Sequence, residues 1–282
     1  MRTVHALTAG WLIRQLESAN VDVAALTREV DLPQDAWLPA RMPAQVHDVL
    51  LQHGLIADPH VGRNAAECAW VGERDWAYAC KFTSPSPAGG PVWLGLDGLD
   101  TIASAYLNGS VIGSFDNMFR QYRVDVRDCL APPGEDNVLL IVFSSPLRYL
   151  EAIEPPPDHV GRIGNHTYLR KAADDFNTYL GARPHFVKVG IYRDVVLDVA
   201  DRAWIESVRV RSELSADHAR ATLHVEIETG GAPASLVWRL ADPSGAEVAR
   251  GTAGSSEGVV TIELDRPRLW WPRTHGAPEL YT

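Results

Sequence analysis

Residues 91–130 read PVWLGLDGLDTIASAYLNGSVIGSFDNMFRQYRVDVRDCL, and this stretch decides the fold. Ala103, Ala105 and Leu107 alternate with Ser104, Tyr106 and Asn108, and after Asn108-Gly109 the alternation resumes at Val111 and Ile112. An Asn-Gly pair between two apolar runs predicts a tight hairpin. A type I′ turn needs positive φ at both central residues, and these two types adopt it at least cost. Leu94 and Leu96 before the pair, and Tyr122, Val124 and Val126 after it, repeat the period of two, so at least four strands are expected here. A long antiparallel sheet follows, and its one apolar face needs a second sheet to cover it. The stretch therefore predicts the middle of a β-sandwich.

The 282 residues suffice for two domains of ordinary size, each with its own core. A formal net charge of −10 argues against nucleic acid or an anionic membrane as partner. Apolar runs fall short of bilayer length, and the opening MRTVHALTAGWLIRQL is interrupted by polar residues. No signal peptide is expected, and the expected location is cytoplasmic. Cys68, Cys80 and Cys129 are far apart, with no C-x-x-C pair and no His at zinc-ligand spacing. Free thiols are expected, one disulfide with one spare cysteine being the alternative. His159 and His166 crowd together in a polar loop and read as surface residues. Neither a P-loop, a G-x-S-x-G elbow nor a G-x-G-x-x-G in βαβ context occurs, so no cofactor is implied.

Outward from the opening stretch, residues 10–18 predict a first strand, and residues 21–31 a short helix or an irregular excursion. Pro43 is expected at the first turn of a helix whose stripe is Val46, Val49, Leu50 and Ile56, with Gly54 after its last turn. Beyond residue 201 the pattern changes to short alternating strands: WIESVRVRSEL, ARATLHVEIET, ASLVWRLAD, EVARGTA and GVVTIELD. Turn signals at Gly230-Gly231 and Asp242-Pro243-Ser244-Gly245 separate them, as in a small antiparallel sandwich. An immunoglobulin-type domain needs about seven strands and about a hundred residues. Five or six are visible here, the last breaking off between Glu279 and Thr282, so the natural polypeptide is expected to continue.

Several motifs in one order carry a family resemblance. They are residues 42–78 (MPAQVHDVLLQHGLIADPHVGRN, then ECAWVGERDWAY), LDGLDTIASAYLNGSVIGSFDNMFRQYRVDV, YLRKA at 168–172, VGIYRDV at 189–195 and LWWPRTHGAPELY at 269–281. Together they resemble the N-terminal part of β-mannosidases of glycoside hydrolase family 2. The resemblance implies an all-β chain. Residues 1–200 would form a jelly-roll, galactose-binding-like sandwich, and residues 201–282 an incomplete immunoglobulin-like sandwich. It further implies a (β/α)8 barrel, absent here, whose two glutamates hydrolyse a terminal β-linked mannose or related β-glycoside by a retaining mechanism. The implied partners are a β-mannoside-like carbohydrate and that barrel, and no catalytic residue is expected in this chain.

Residues 149–193 form a long connection rich in Pro, Gly and polar side chains, of the kind that more often serves function than decoration. In the resembling family the segment after the RKA motif carries an aromatic-Asp-aromatic signature that reads the sugar. Here Asn177-Thr178-Tyr179-Leu180 stand in its place, and the signature is absent. Asp174, Asp175, Asn177, Tyr179 and Arg183 are the candidate sugar-contacting residues. Carboxylates, amides and a ring face suit a pyranose's hydroxyls and its apolar surface. The competing reading makes the two aspartates solvated loop charges and Tyr179 a packing residue.

Trp70 and Trp76 flank Gly72-Glu73-Arg74-Asp75. This could form a sugar platform, but in a sandwich such rings are expected as core anchors, with Glu73, Arg74 and Asp75 pairing among themselves. Trp270-Trp271-Pro272 is expected at an interface. Glycosidic cleavage by a retaining route needs two carboxyl groups about 5–5.5 Å apart. Glu151 and Glu154 are the only nearby pair, on a surface loop that offers too little burial to keep one protonated. Two further readings stand beside the enzyme fragment: a stand-alone, non-catalytic carbohydrate-binding module, and a purely structural or assembly part.

Overall fold

The computed structural model describes residues 2–17, 21–30, 37–86, 89–154, 168–172, 186–254 and 258–282. The chain divides into two compact units, the first drawn from Thr3–Pro87 and Pro91–Val199, the second mainly from Ala200–Thr282. Strands of the first part are β1 (Arg2–Ala6), β2 (Trp11–Leu16), β3 (Leu38–Ala40), β4 (Ala44–Gln45), β5 (Asp75–Thr83), β6 (Gly89–Leu96) and β7 (Leu99–Asp100). They continue as β8 (Ala103–Leu107), β9 (Ser110–Phe115), β10 (Tyr122–Asp125), β11 (Asp136–Phe143), β12 (Gly190–Ile191) and β13 (Val195–Asp201). Four short helices accompany them: α1 (Val23–Glu29), α2 (Val46–Gln52), α3 (Asn64–Glu67) and α4 (Pro146–Glu151).

A six-stranded sheet, in the order β3-β2-β5-β11-β8-β9, and a four-stranded sheet, β1-β13-β6-β10, make the sandwich, and β4-β12-β7 form a small third sheet. Asn108 and Gly109 take φ of 52° and 83°, closing the β8–β9 hairpin as expected, with Leu107 opposite Ser110. The sheet assignment of the opening stretch is corrected. Tyr122 faces Leu96 and Asp125 faces Trp93, so β6 and β10 pair with each other in the four-stranded sheet, while the hairpin lies in the six-stranded one. Alternation fixes which face of a strand is buried; it leaves the partner strand undetermined.

Trp11, Ile13, Tyr78, Leu94, Leu96, Leu139, Ile141 and Phe143 belong to one cluster and are at most 1% exposed. Each such side chain contributes about 1.5–3 kcal/mol of burial. The reverse face of β5 and β11 is covered too: Ala77, Ala79, Leu140 and Val142 pack with Leu26 of α1 and Trp37. Burial from both sides makes Asp75–Cys80 continuously buried, which erases the alternation an outward-facing strand would show.

The first predicted strand is β2, and the region of residues 21–31 contains α1, whose N-cap Asp22 accepts the Ala25 N–H at 2.9 Å. Pro43 does not open a helix. Ala44 and Gln45 are taken up by the ladder of β4 with β12, so α2 starts only at Val46, where the Asp48 carboxylate accepts the Gln45 N–H at 2.9 Å. Val46, Val49 and Leu50 are buried as the stripe required, but the helix ends at Gln52, so Ile56 lies beyond it and is half-buried, and Gly54 takes φ 67° after the last turn. Trp76 is 2% exposed and donates from Nε1 to the Val71 carbonyl at 3.0 Å, with Trp70 packed 6.0 Å away between ring centres. These two rings are core anchors. Asp75, expected to pair with Arg74, instead binds the Arg148 guanidinium and accepts the Ser145 N–H at 2.6 Å, because α4 packs against its buried face.

In the second unit β14 (Ala203–Leu214), β15 (Arg220–Gly231), β16 (Ser235–Ala241), β17 (Glu247–Gly254) and β18 (Val259–Asp265) form the sheets β14-β15-β18 and β16-β17. Trp204 lies over its cross-strand partner Gly230 and Trp238 over Gly251. A Cβ on those glycines would come within 2.2 and 2.6 Å of the rings. The expected sixth strand is present only as Thr282, which exchanges both backbone hydrogen bonds with Ala241, at 2.7 and 3.0 Å. Trp270 and Trp271 are 56% and 46% exposed.

Cys68, Cys80 and Cys129 are free thiols; burial pushes Cys80 up to about 12. Among the described residues no helix is long and apolar enough to cross a membrane, and no cluster of His, Cys, Asp or Glu is arranged to hold a metal ion.

Candidate functional site

The candidate contacts Asp174, Asp175, Asn177, Tyr179 and Arg183 lie outside the described residues, as do His159 and His166. The structure does describe the two ends between which residues 173–185 run, and a buried side chain joins them. Lys171, on the N-terminal end, donates from Nζ to the Asp100 carboxylate at 2.5 Å and to the Lys188 backbone carbonyl, on the C-terminal end, at 2.7 Å. Both charged side chains are 0% exposed.

Asp100 is placed by β7, whose short ladder with β12 sets Asp100 opposite Gly190, while Gly190 also faces Gln45 of β4. That sheet brings the Gln45 amide to the second carboxylate oxygen of Asp100 at 2.9 Å, and the Thr101 hydroxyl donates to the first. A buried carboxylate holding a cation and two further donors is the arrangement that makes such burial tolerable, because each lone pair replaces a lost water. The same set is thereby withdrawn from chemistry. No oxygen of Asp100 faces solvent, so the pair serves as a frame.

Gly190 is required at the centre of that frame. Its φ is 129°, and a Cβ there would meet the Tyr78 hydroxyl at 2.2 Å and the Gln45 Cα at 3.0 Å. Tyr78 is fully buried and donates to the Ala44 carbonyl at 3.2 Å. Burial, chiefly, pushes its phenol well above the ordinary value; Asp48 and Asp100 add to this and a backbone hydrogen bond from Ile191 opposes it.

A second layer holds the N-terminal end. Arg170 bridges Asn117, the Met118 N–H donates to the Arg170 carbonyl at 3.0 Å, and the Ala172 N–H reaches the Met118 sulfur at 3.0 Å. Tyr192, next after β12, donates its hydroxyl to the Met118 carbonyl and its N–H to the Gly98 carbonyl at 2.9 Å. Burial raises the Tyr192 phenol; the nearby Arg193 opposes this, and Asp100 and Asp97 add to it. Burial likewise raises the Asp97 carboxyl, opposed by Arg193 and reinforced by Asp194. Around these anchors Phe119, Arg120, Arg170 and Arg193 present exposed side chains, giving an aromatic ring and three cations at the rim.

Glu151 and Glu154 are both exposed, so neither has the burial a general acid needs. Sequence reasoning quoted the motifs that contain Asp100, Met118, Lys171 and Tyr192 but singled out none of them. A lone lysine after Leu169-Arg170 looks like a solvated charge. Its partner stands 71 positions earlier, a distance over which periodicity carries no information.

Residues 11–193 match the family described as glycosyl hydrolase 2 galactose-binding domain-like, and residues 203–282 match glycosyl hydrolases family 2. A β-mannosidase B of Aspergillus terreus is 34% identical over 98% of the chain and 32% of its own length. Among solved structures, a β-D-mannosidase from Dictyoglomus thermophilum superposes with a TM-score of 0.77 at 26% identity, covering 96% of this chain and 32% of that one. A β-glucuronidase from Ruminococcus gnavus shares the fold at 22% identity, with a TM-score of 0.63 over 99% of this chain and 42% of that one. The chain thus spans about a third of the length of the curated relative it matches.

Proposed function

Because the chain belongs to glycoside hydrolase family 2, we propose that it is the N-terminal, two-sandwich portion of a β-mannosidase-like enzyme and that it builds one wall of the sugar pocket. The observation that carries this reading is the pair of hydrogen bonds that the Lys171 ammonium donates. It ties the YLRKA motif to the residues just before VGIYRDV at one buried point, so the segment between them is presented from a fixed base. A wall of this kind contributes by orientation: donors and acceptors held in place meet the sugar's hydroxyls without first being ordered. The rim residues Phe119, Arg120 and Arg193 suit hydroxyl and ring-face recognition. Chemistry, in this reading, belongs to two carboxylates on a (β/α)8 barrel that the chain does not contain. The three free thiols fit the cytoplasmic location that the reading includes.

The test is turnover by these 282 residues alone. With an aryl β-D-mannopyranoside as substrate, no hydrolysis above the buffer rate is expected. Hydrolysis abolished by removing a carboxylate of this chain would overturn the reading. Calorimetric affinity of the isolated chain for a mannoside, without turnover, would shift the assignment to a carbohydrate-binding module.

A further inference from the structure

A groove of about 590 Å3 opens between α4 and the helical turn Ala69–Glu73 that precedes β5. Glu73 and Arg74 line one wall, and Leu147, Arg148, Leu150 and Glu151 the other. That volume lies within the roughly 300–1,000 Å3 typical of small-molecule sites. Buried polar bonds clamp the two walls together. Ser145, the N-cap of α4, donates from Oγ to the Gly72 carbonyl at 2.7 Å and accepts the Arg148 N–H at 3.2 Å. Asp75 accepts the Ser145 N–H at 2.6 Å and holds the Arg148 guanidinium. The groove therefore keeps its shape without a ligand, which removes an ordering cost from binding.

Its position ties it to the frame around Lys171. A Cβ on Gly72 would come within 2.8 Å of the Val187 Cβ, so the turn that carries Glu73 packs directly on residues 186–190. Where β11 leads into α4, the Ser144 N–H donates to the Ile102 carbonyl at 2.9 Å, just after Asp100 and Thr101. Groove and frame thus share one end of the sandwich.

The lining specifies the ligand. Leu150 is buried and Leu147 half-buried, giving an apolar floor, while Glu73, Arg74 and Glu151 are exposed. Among the described residues none of those three enters an ion pair or a side-chain hydrogen bond, so their donors and acceptors are available. Arg74 and Arg148 balance Glu73 and Glu151, so the groove favours neither an anion nor a cation. Carboxylates and guanidinium groups around an apolar floor match a ring whose hydroxyls both donate and accept and whose C–H face is apolar.

We propose that this groove binds a neutral sugar unit of an oligosaccharide, so that recognition by this chain extends beyond one terminal sugar. The proposal rests on the reading of the chain as a wall of a sugar pocket, and it names the substrate class of that wall: neutral oligosaccharides.

The test follows the backbone amides of the 282-residue chain by NMR during titration with a β-linked mannotriose. An open groove without an aromatic platform supports a Kd of about 1 mM or weaker, which amide shifts report better than heat. The shifts are expected on residues 73–74 and 147–151. Replacing the exposed Glu151 with Lys removes an acceptor and leaves Glu73 alone against three cations. Glu151→Lys is expected to weaken the neutral trisaccharide about tenfold and to strengthen a trisaccharide carrying a uronate, at an unchanged melting temperature. Shifts confined to the groove and altered in this way support the proposal. No shift there, or one that Glu151→Lys leaves unaltered, overturns it, as does binding centred on Phe119 and Arg120 with the groove silent. Turnover by the chain alone, which defeats the wall reading, moves none of these readouts, so the two failures are distinguishable.

Discussion

Replacing Lys171 with Met keeps most of the side chain's volume and removes its charge, so the loss is electrostatic and the cavity left behind is small. Asp100 would then remain buried without its cation, keeping the Thr101 hydroxyl and the Gln45 amide, and the Lys188 carbonyl would lose the ammonium donor. Removing one member of a buried ion pair costs about 3–5 kcal/mol, since the charge left behind has lost its counter-ion where water cannot replace it. For a unit of this size 1 kcal/mol corresponds to about 2–4 °C, so the melting temperature is expected to fall by about 6–20 °C. Thermal unfolding followed by circular dichroism reads this directly. The deficit has a sign in pH: an orphaned carboxylate is tolerated better once protonated, so the gap between K171M and the parent narrows as pH falls from neutral toward 4. Adding Asp100→Asn to K171M removes the stranded charge, so the double variant should be more stable than K171M alone. Hydrogen exchange should quicken at both ends, in residues 168–172 and 186–190. A K171M protein within about 1 kcal/mol of the parent at neutral pH, with the same pH profile, would refute the role assigned to this pair.

Two further substitutions probe the same frame. Gly190→Ala places a methyl group within 2.2 Å of the Tyr78 hydroxyl at a φ that side chains rarely adopt, and a loss of about 2–4 kcal/mol is expected in urea unfolding. Tyr78→Phe combined with it should recover part of the loss by freeing the space that the hydroxyl fills. Asp97→Asn removes a carboxylate whose pKa is raised in the folded state by burial and by Asp194. A raised acid pKa means that the native state binds the proton more tightly, so stability drops as pH climbs between the unfolded and folded values. D97N should therefore be more stable than the parent at pH 7, with the advantage vanishing below the ordinary carboxylate range. An unchanged difference across that range would count against it.

How much of this was legible beforehand depends on the distance over which each feature is encoded. Asn108-Gly109 announces its own hairpin because the backbone demand is met by the two residues themselves. The five strands of the second unit were readable for the same reason, since local alternation and turn chemistry suffice. Partner choice was not local: β6 and β10 look identical to β8 and β9 in pattern, yet they belong to the opposite sheet. Pro43 misled because its fit to a helix start is intrinsic, whereas the claim of β12 on Ala44 and Gln45 arises 145 residues later. The frame of the candidate site was the least visible part. Asp100 and Lys171 gain meaning only from each other, and nothing in either neighbourhood says that both charges go inside.

The Lys171 ammonium touches the stretches before and after residues 173–185 and takes its ionic partner from outside them. Residues 168–172 and 186–190 are thereby riveted to one buried point. Motion on one side of that rivet is passed to the other, so the two stretches move as one piece although the sequence separates them.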